Sequence, residues 1–192
     1  MNLQADPLMP DREIALREGA HIILRSVRRD DEARLRAMFA QASPEDIHYR
    51  CFGAMHDFAG HMAKRLAHLD PKTEVALVAT TLPGQTPEEI LGAVHIVQDP
   101  NALDTAEFDI MVRSDLKQHG LGYRLMTEIL QCARQRGLEA VTGDILRDNF
   151  AMLQMAQELG FKTEIAEGAD AVRVKVTLAE LPAFAEAELR SS

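Results

Sequence analysis

No apolar run in this 192-residue chain approaches the roughly 18 residues that a membrane-spanning helix needs. The opening residues, Met1 to Pro7, also lack the basic-then-apolar build of a secretory leader, so a cytoplasmic location is expected. Cysteine is scarce. Cys51 and Cys132 are too few for a disulfide framework, and their apolar, helix-like settings predict reduced core thiols. Positive charge is short as well: 21 Lys and Arg stand against 30 Asp and Glu, giving a net charge of −9 and a pI near 5.2. That balance lacks the basic face of a nucleic-acid or membrane-surface binder, and neither partner is expected. The histidines form no H-E-x-x-H motif and the cysteines no C-x-x-C, and the step from His56 to His61 does not align both on one helical face, so no metal is expected.

What the chain does have is 46% hydrophobic residues, enough at this length to bury one substantial core. A polar leader over residues 1–19 precedes a strand at His21 to Val27, and the compact domain is expected over 20–180, with a tail at 181–192. Leu35, Met38 and Phe39 mark the inner face of a first helix. Ser43-Pro44 opens a second, with Ser43 as cap and Pro44 in the first turn, and a third runs from Phe58 to Leu69. Thr73 to Thr81, Ile90 to Val97 and Ala106 to Val112 read as successive strands separated by turn residues. Further on, the pattern predicts a helix from Gly120 to about Arg136, a strand at Ala140 to Leu146, a helix ending at Gly160, a strand opening at Phe161 and a last strand at Ala171 to Leu178.

The stretch from Phe108 to Arg124 is the most informative, because a strand leads through a glycine loop into a helix. A helix start leaves amide N–H groups unpaired and carries partial positive charge, which suits a phosphate or pyrophosphate. Gly120 and Gly122 let the backbone approach such a ligand. The loop has only G-x-G, so it fits neither the three-glycine dinucleotide fingerprint nor the P-loop.

Lys117-Gln118-His119-Gly120-Leu121-Gly122 resembles the acetyl-CoA loop of the GNAT superfamily of N-acetyltransferases, with Lys where the family more often has Arg or Gln. Asn149, eleven residues before Gly160-Phe161, resembles the family's second signature. Ser43 to Phe52 and the Ala106-Glu107-Phe108 segment are similar to the acetyltransferase domains of bacterial protein-lysine acetyltransferases, which modify acyl-CoA synthetases. The resemblance covers roughly residues 20–165.

It implies an α/β (α+β) GNAT fold: a mixed, mostly antiparallel sheet of six to seven strands, splayed at the acetyl-CoA site and flanked by helices. It implies acetyl-CoA as co-substrate and an amine acceptor such as a protein lysine. By resemblance, Lys117, Gln118, His119, Gly120, Leu121, Gly122 and Tyr123 would hold the pyrophosphate, Ile110, Met111 and Val112 the pantetheine amides through their backbone, and Asn149 the pantetheine arm. Acyl transfer to an amine requires loss of the ammonium proton, and Glu107 is the expected base, with Asp109 of the same strand parity able to share the role. Where many members carry a tyrosine as general acid, this chain has Ala156, and no acid is assigned. Small-amine acetylation and non-catalytic acyl-CoA sensing remain alternatives.

Overall fold

The computed structural model describes residues 10–16, 19–51, 57–85, 87–117, 119–164 and 170–182. Eight strands form one sheet in the order β1-β2-β3-β4-β5-β6-β8-β7. The strands are β1 (Arg12–Ala15), β2 (His21–Ser26), β3 (Glu74–Thr80), β4 (Ile90–Asp99), β5 (Ala102–Val112), β6 (Ala140–Leu146), β7 (Lys162–Glu164) and β8 (Ala171–Thr177). All neighbours run antiparallel except β5 and β6. The helices are α1 (Glu32–Phe39), α2 (Pro44–Cys51), α3 (Phe58–Ala67), α4 (Leu121–Gln135) and α5 (Phe150–Glu158). No helix among the described residues is long and apolar enough to cross a membrane.

β3 and β4 are buried on both faces, and their alternating side chains feed two separate cores. Leu77, Val94, Ile96 and Phe108 pack with Leu125, Met126 and Ile129 of α4. Ala76, Val78, Ala93 and Met111 pack on the other side with Leu35, Phe39 and Leu66 of α1 and α3. Every helix therefore has a sheet face to cover, and the site described below lies where that cover meets a gap in the sheet.

The gap is between β5 and β6. These strands pair only at Thr105↔Ala140, Ala106↔Val141 and Glu107↔Thr142, although both continue well beyond. Phe108 is the wedge. A Cβ on Gly143 would lie 2.4 Å from the Phe108 ring, so glycine leaves room for that ring, which also meets Phe161 edge-on at 5.3 Å.

The sheet exceeds the expected six or seven strands because Arg12–Ala15, expected within a polar leader, pairs with β2. Only Ile14 of that strand is buried, so no apolar alternation marks it in the sequence. Likewise β5 starts at Ala102 rather than Ala106, since its first residues form a ribbon with Leu103 two-thirds exposed. The expected tail is described only to Pro182.

Candidate active site

The cofactor half of the site starts on β5. From Phe108 to Val112 this strand has β4 as its only strand partner among the described residues, which leaves the backbone of Ile110, Met111 and Val112 on the open edge of the split. A short 3-10 turn at Ser114–Leu116 then carries the chain to Gly120, whose φ of +82° is a left-handed conformation suited to glycine. α4 begins at the buried Leu121 with no side-chain cap and no acidic residue in its first turn. Its leading amides, on Leu121, Gly122 and Tyr123, have no acceptor inside the helix, and the first intrahelical bond runs from Arg124 N to Gly120 O at 3.0 Å.

Gly122 differs from Gly120. It is helical, and a Cβ there would meet Met155 and Val112 at an ordinary 3.6 Å. Nothing in the fold requires glycine at 122, and a bare backbone there leaves the helix start open to a ligand. The residues present thus fit a pyrophosphate and a pantetheine arm.

The Lys117 ammonium pairs with the Asp46 carboxylate of α2. Ser43 and Asp46 also cap α2 reciprocally, and Ser114 Oγ donates to Asp46 at 2.6 Å. Burial pushes Asp46 up, but hydrogen bonds from Lys117, Ser114 and Ser43 outweigh it and hold the carboxyl below its usual range. Asp46 therefore ties α2 to the loop that precedes α4. His119 is half-buried beside Gly120, Tyr123 is 38% exposed, and Gln118 lies outside the described residues, as does Phe52. Asn149 caps α5 by accepting from Met152 N at 3.2 Å, a bond that uses Oδ1 and leaves the amide NH2 group as donor at the cavity wall.

The acceptor half is a cavity of about 550 Å³ between α2, α3 and strands β4 to β6, with Tyr49, Arg50, Arg65, His95, Glu107 and Asp109 on its walls. The Glu107 side chain is 57% exposed and faces Arg173 at 3.8 Å, while Arg173 binds Asp144 at 2.7 Å. Asp109 pairs with Arg50, whose guanidinium lies over the Phe39 ring at 5.5 Å. Tyr49 reaches from α2 to the loop before α5, its single hydroxyl proton shared between the Glu45 carboxylate at 3.1 Å and the Asp148 carbonyl at 3.4 Å. Desolvation and the Glu45 carboxylate raise its hydroxyl pKa, which keeps the phenol neutral. Ala156 is buried in the core, so that position offers no acid.

Sequence reasoning missed His95, whose imidazole is 2% exposed and bonded through Nε2 to Glu74 at 2.7 Å. No sequence signal marks that pair, because the two residues come from adjacent strands and meet only in the folded register. Tyr49 and Arg50, within the Ser43 to Phe52 resemblance, both line the cavity. Cys132 is buried, and the side chain of Cys51 lies outside the described residues. Among the described residues, no three His, Cys, Asp or Glu side chains are grouped to hold a metal ion.

Comparison with known proteins adds a family. The model of the acetyltransferase (GNAT) family matches residues 35–161. An acetyltransferase of Pseudomonas aeruginosa is 24% identical over 148 residues, 77% of this chain and 78% of that protein. The crystal structure of the GNAT domain of S. lividans PAT superposes with a TM-score of 0.78 at 24% identity, covering 87% of this chain and 96% of that one. A spermidine N-acetyltransferase from Vibrio cholerae, solved with CoA and spermine, gives a TM-score of 0.64 at 16% identity over 82% of this chain and 96% of that one. The two solved structures share this chain's overall fold.

Proposed function

The chain belongs to the acetyltransferase (GNAT) family, and from that premise we propose that it moves an acetyl group directly from acetyl-CoA to a primary amine, with a protein lysine as acceptor. One observation carries this reading: the open edge of β5 leads straight to the uncapped start of α4, with a carboxylate-lined cavity on the same strand. The amides of Leu121, Gly122 and Tyr123, with His119 beside them, would hold the pyrophosphate, and Gln118 is assigned there by resemblance alone. The backbone of Ile110, Met111 and Val112 and the amide of Asn149 would hold the pantetheine arm, and Lys117 would fix the loop through Asp46. When bound, acetyl-CoA supplies an activated thioester.

The chain's own task is to present a neutral amine. A lysine ammonium with a pKa near ~10.4 is almost fully protonated at neutral pH, so a base must remove its proton. Glu107 sits at the last paired residue before the strands part, where its carboxylate faces the cavity, and it takes that role directly or through water. A backbone N–H on the open β5 edge would stabilise charge developing on the carbonyl oxygen. Small-amine acetylation is the second reading, favoured by the Tyr49 hydroxyl, which reaches across from α2 to the Asp148 carbonyl at the cavity wall. Retention of Glu107 weighs against a non-catalytic sensor.

The test follows CoA release from acetyl-CoA with acyl-CoA synthetases or with a panel of small amines, beside the Glu107→Gln variant. Synthetase-dependent release that falls about 100-fold or more in the variant, within the range of general-base loss, supports the reading. Release with amines alone moves the acceptor to a metabolite. Release equal in both proteins removes Glu107 from the mechanism.

A further inference from the structure

His95, buried at the cavity wall, and the half-buried Glu74 behind it are a titratable pair that the mechanism above leaves unused. His95 lies on β4 directly opposite Asp109 of β5, and Val97, two residues on, lies opposite Glu107. Strand alternation therefore puts the imidazole and both carboxylates on one face, and all but Glu74 border the same cavity. Glu74, on the next strand, holds Nε2 at 2.7 Å. An imidazole whose Nε2–H donates to a carboxylate carries its lone pair at Nδ1, and that carboxylate steadies the imidazolium formed when Nδ1 takes a proton.

We propose that the Glu74–His95 pair is the proton acceptor of the transfer reaction, receiving through Glu107 the proton that the acceptor ammonium gives up. This rests on the acetyl-transfer reading. Burial lowers the basicity of His95, against the opposing pull of the Glu74 and Asp109 carboxylates and with the push of Arg65 from α3, so it stands as free base at neutral pH. Asp109 is itself neutralised by Arg50 of α2, and Glu74, at 2.7 Å, is the carboxylate bonded to His95. In the step, the ammonium loses one proton by way of Glu107 to His95 Nδ1. The amine lone pair forms the C–N bond to the acetyl carbon, the C–S bond breaks, and sulfur leaves with that electron pair. The second nitrogen proton goes to the thiolate, and the imidazolium returns its proton to solvent.

The test is the pH dependence of kcat/KM, read by CoA release with spermidine and with a lysine-containing peptide as probes, for wild type, His95→Gln and Glu74→Gln. In wild type the acid limb falls in the imidazole range. In His95→Gln the neutral-pH rate drops about 100-fold and the limb moves toward the carboxylate range, while acetyl-CoA affinity stays unchanged. Glu74→Gln lowers kcat about 10-fold with KM for acetyl-CoA unchanged. A folded His95→Gln protein with the wild-type rate and limb overturns the proposal but leaves acetyl transfer standing. Absence of release with either probe, in wild type that binds acetyl-CoA, overturns the transfer reading and the proposal with it. NMR of isotopically labelled histidine decides independently of turnover or of the variants' folding. The proposal requires the proton on Nε2 at neutral pH, and a proton on Nδ1 contradicts it.

Discussion

At Gly120 the backbone has φ +82°, whereas at Gly122 it is helical with room for a Cβ. The two glycines therefore separate conformation from ligand access. Gly120→Ala should cost about 1–2 kcal/mol of stability, the penalty of a side chain in the left-handed region. Gly122→Ala should leave stability unchanged or raise it by up to about 1 kcal/mol, since alanine favours helix, yet weaken acetyl-CoA binding because the methyl group stands between ligand and amides. Thermal unfolding and calorimetric titration with acetyl-CoA check both. Stabilisation of Gly122→Ala with undiminished affinity would remove the helix start from the site. Elsewhere, Arg25 is 2% exposed and bound bidentately by the fully buried Asp31, at 2.6 and 2.8 Å. Asp31→Ala leaves that guanidinium without its main counter-charge and should cost about 3–5 kcal/mol in urea unfolding.

Among the elements, the parting of β5 and β6 makes the site, and it depends on Phe108 lying over Gly143. Gly143→Ala places a methyl group 2.4 Å from that ring, so the ring must shift. The overpacking should cost about 1–3 kcal/mol and raise KM for acetyl-CoA by reshaping the split. Unfolding midpoints together with KM check this; an unchanged KM would show that the split does not depend on the wedge. The sequence made these elements partly legible. Ser43-Pro44, the G-x-G loop and Asn149 are local signals, and each sits at the helix start it announces. β1 was not legible, because a strand with one buried residue has no period to detect. Nor were the pairings Glu74–His95, Arg50–Asp109 and Asp46–Lys117, which depend on strand register and on α2 crossing the sheet.

Across the whole molecule, acid should act in two stages. Burial lowers the pKa of His95, so as pH falls below about 6.5 the unfolded chain takes up a proton that the folded one resists, and stability declines. Asp31 and Asp46 are held below the usual carboxylate range, despite burial, by the hydrogen bonds and charges of Arg25 and Lys117 among others. Their contribution is complete above about pH 4 and lost as pH falls further. Thermal unfolding should be flat above about pH 7, slope down below about 6.5 and steepen below about 4, and His95→Gln should flatten the first slope.

The catalytic claim ties the open β5 edge, the α4 start and the carboxylate-lined cavity into one direct transfer. The most direct measurement is mass spectrometry of the acceptor after incubation with deuterium-labelled acetyl-CoA, wild type beside Glu107→Gln. Labelled acetyl is expected on an acceptor amine nitrogen, formed by wild type and nearly absent with the variant. Acetyl-CoA bound but never passed to any amine would contradict it.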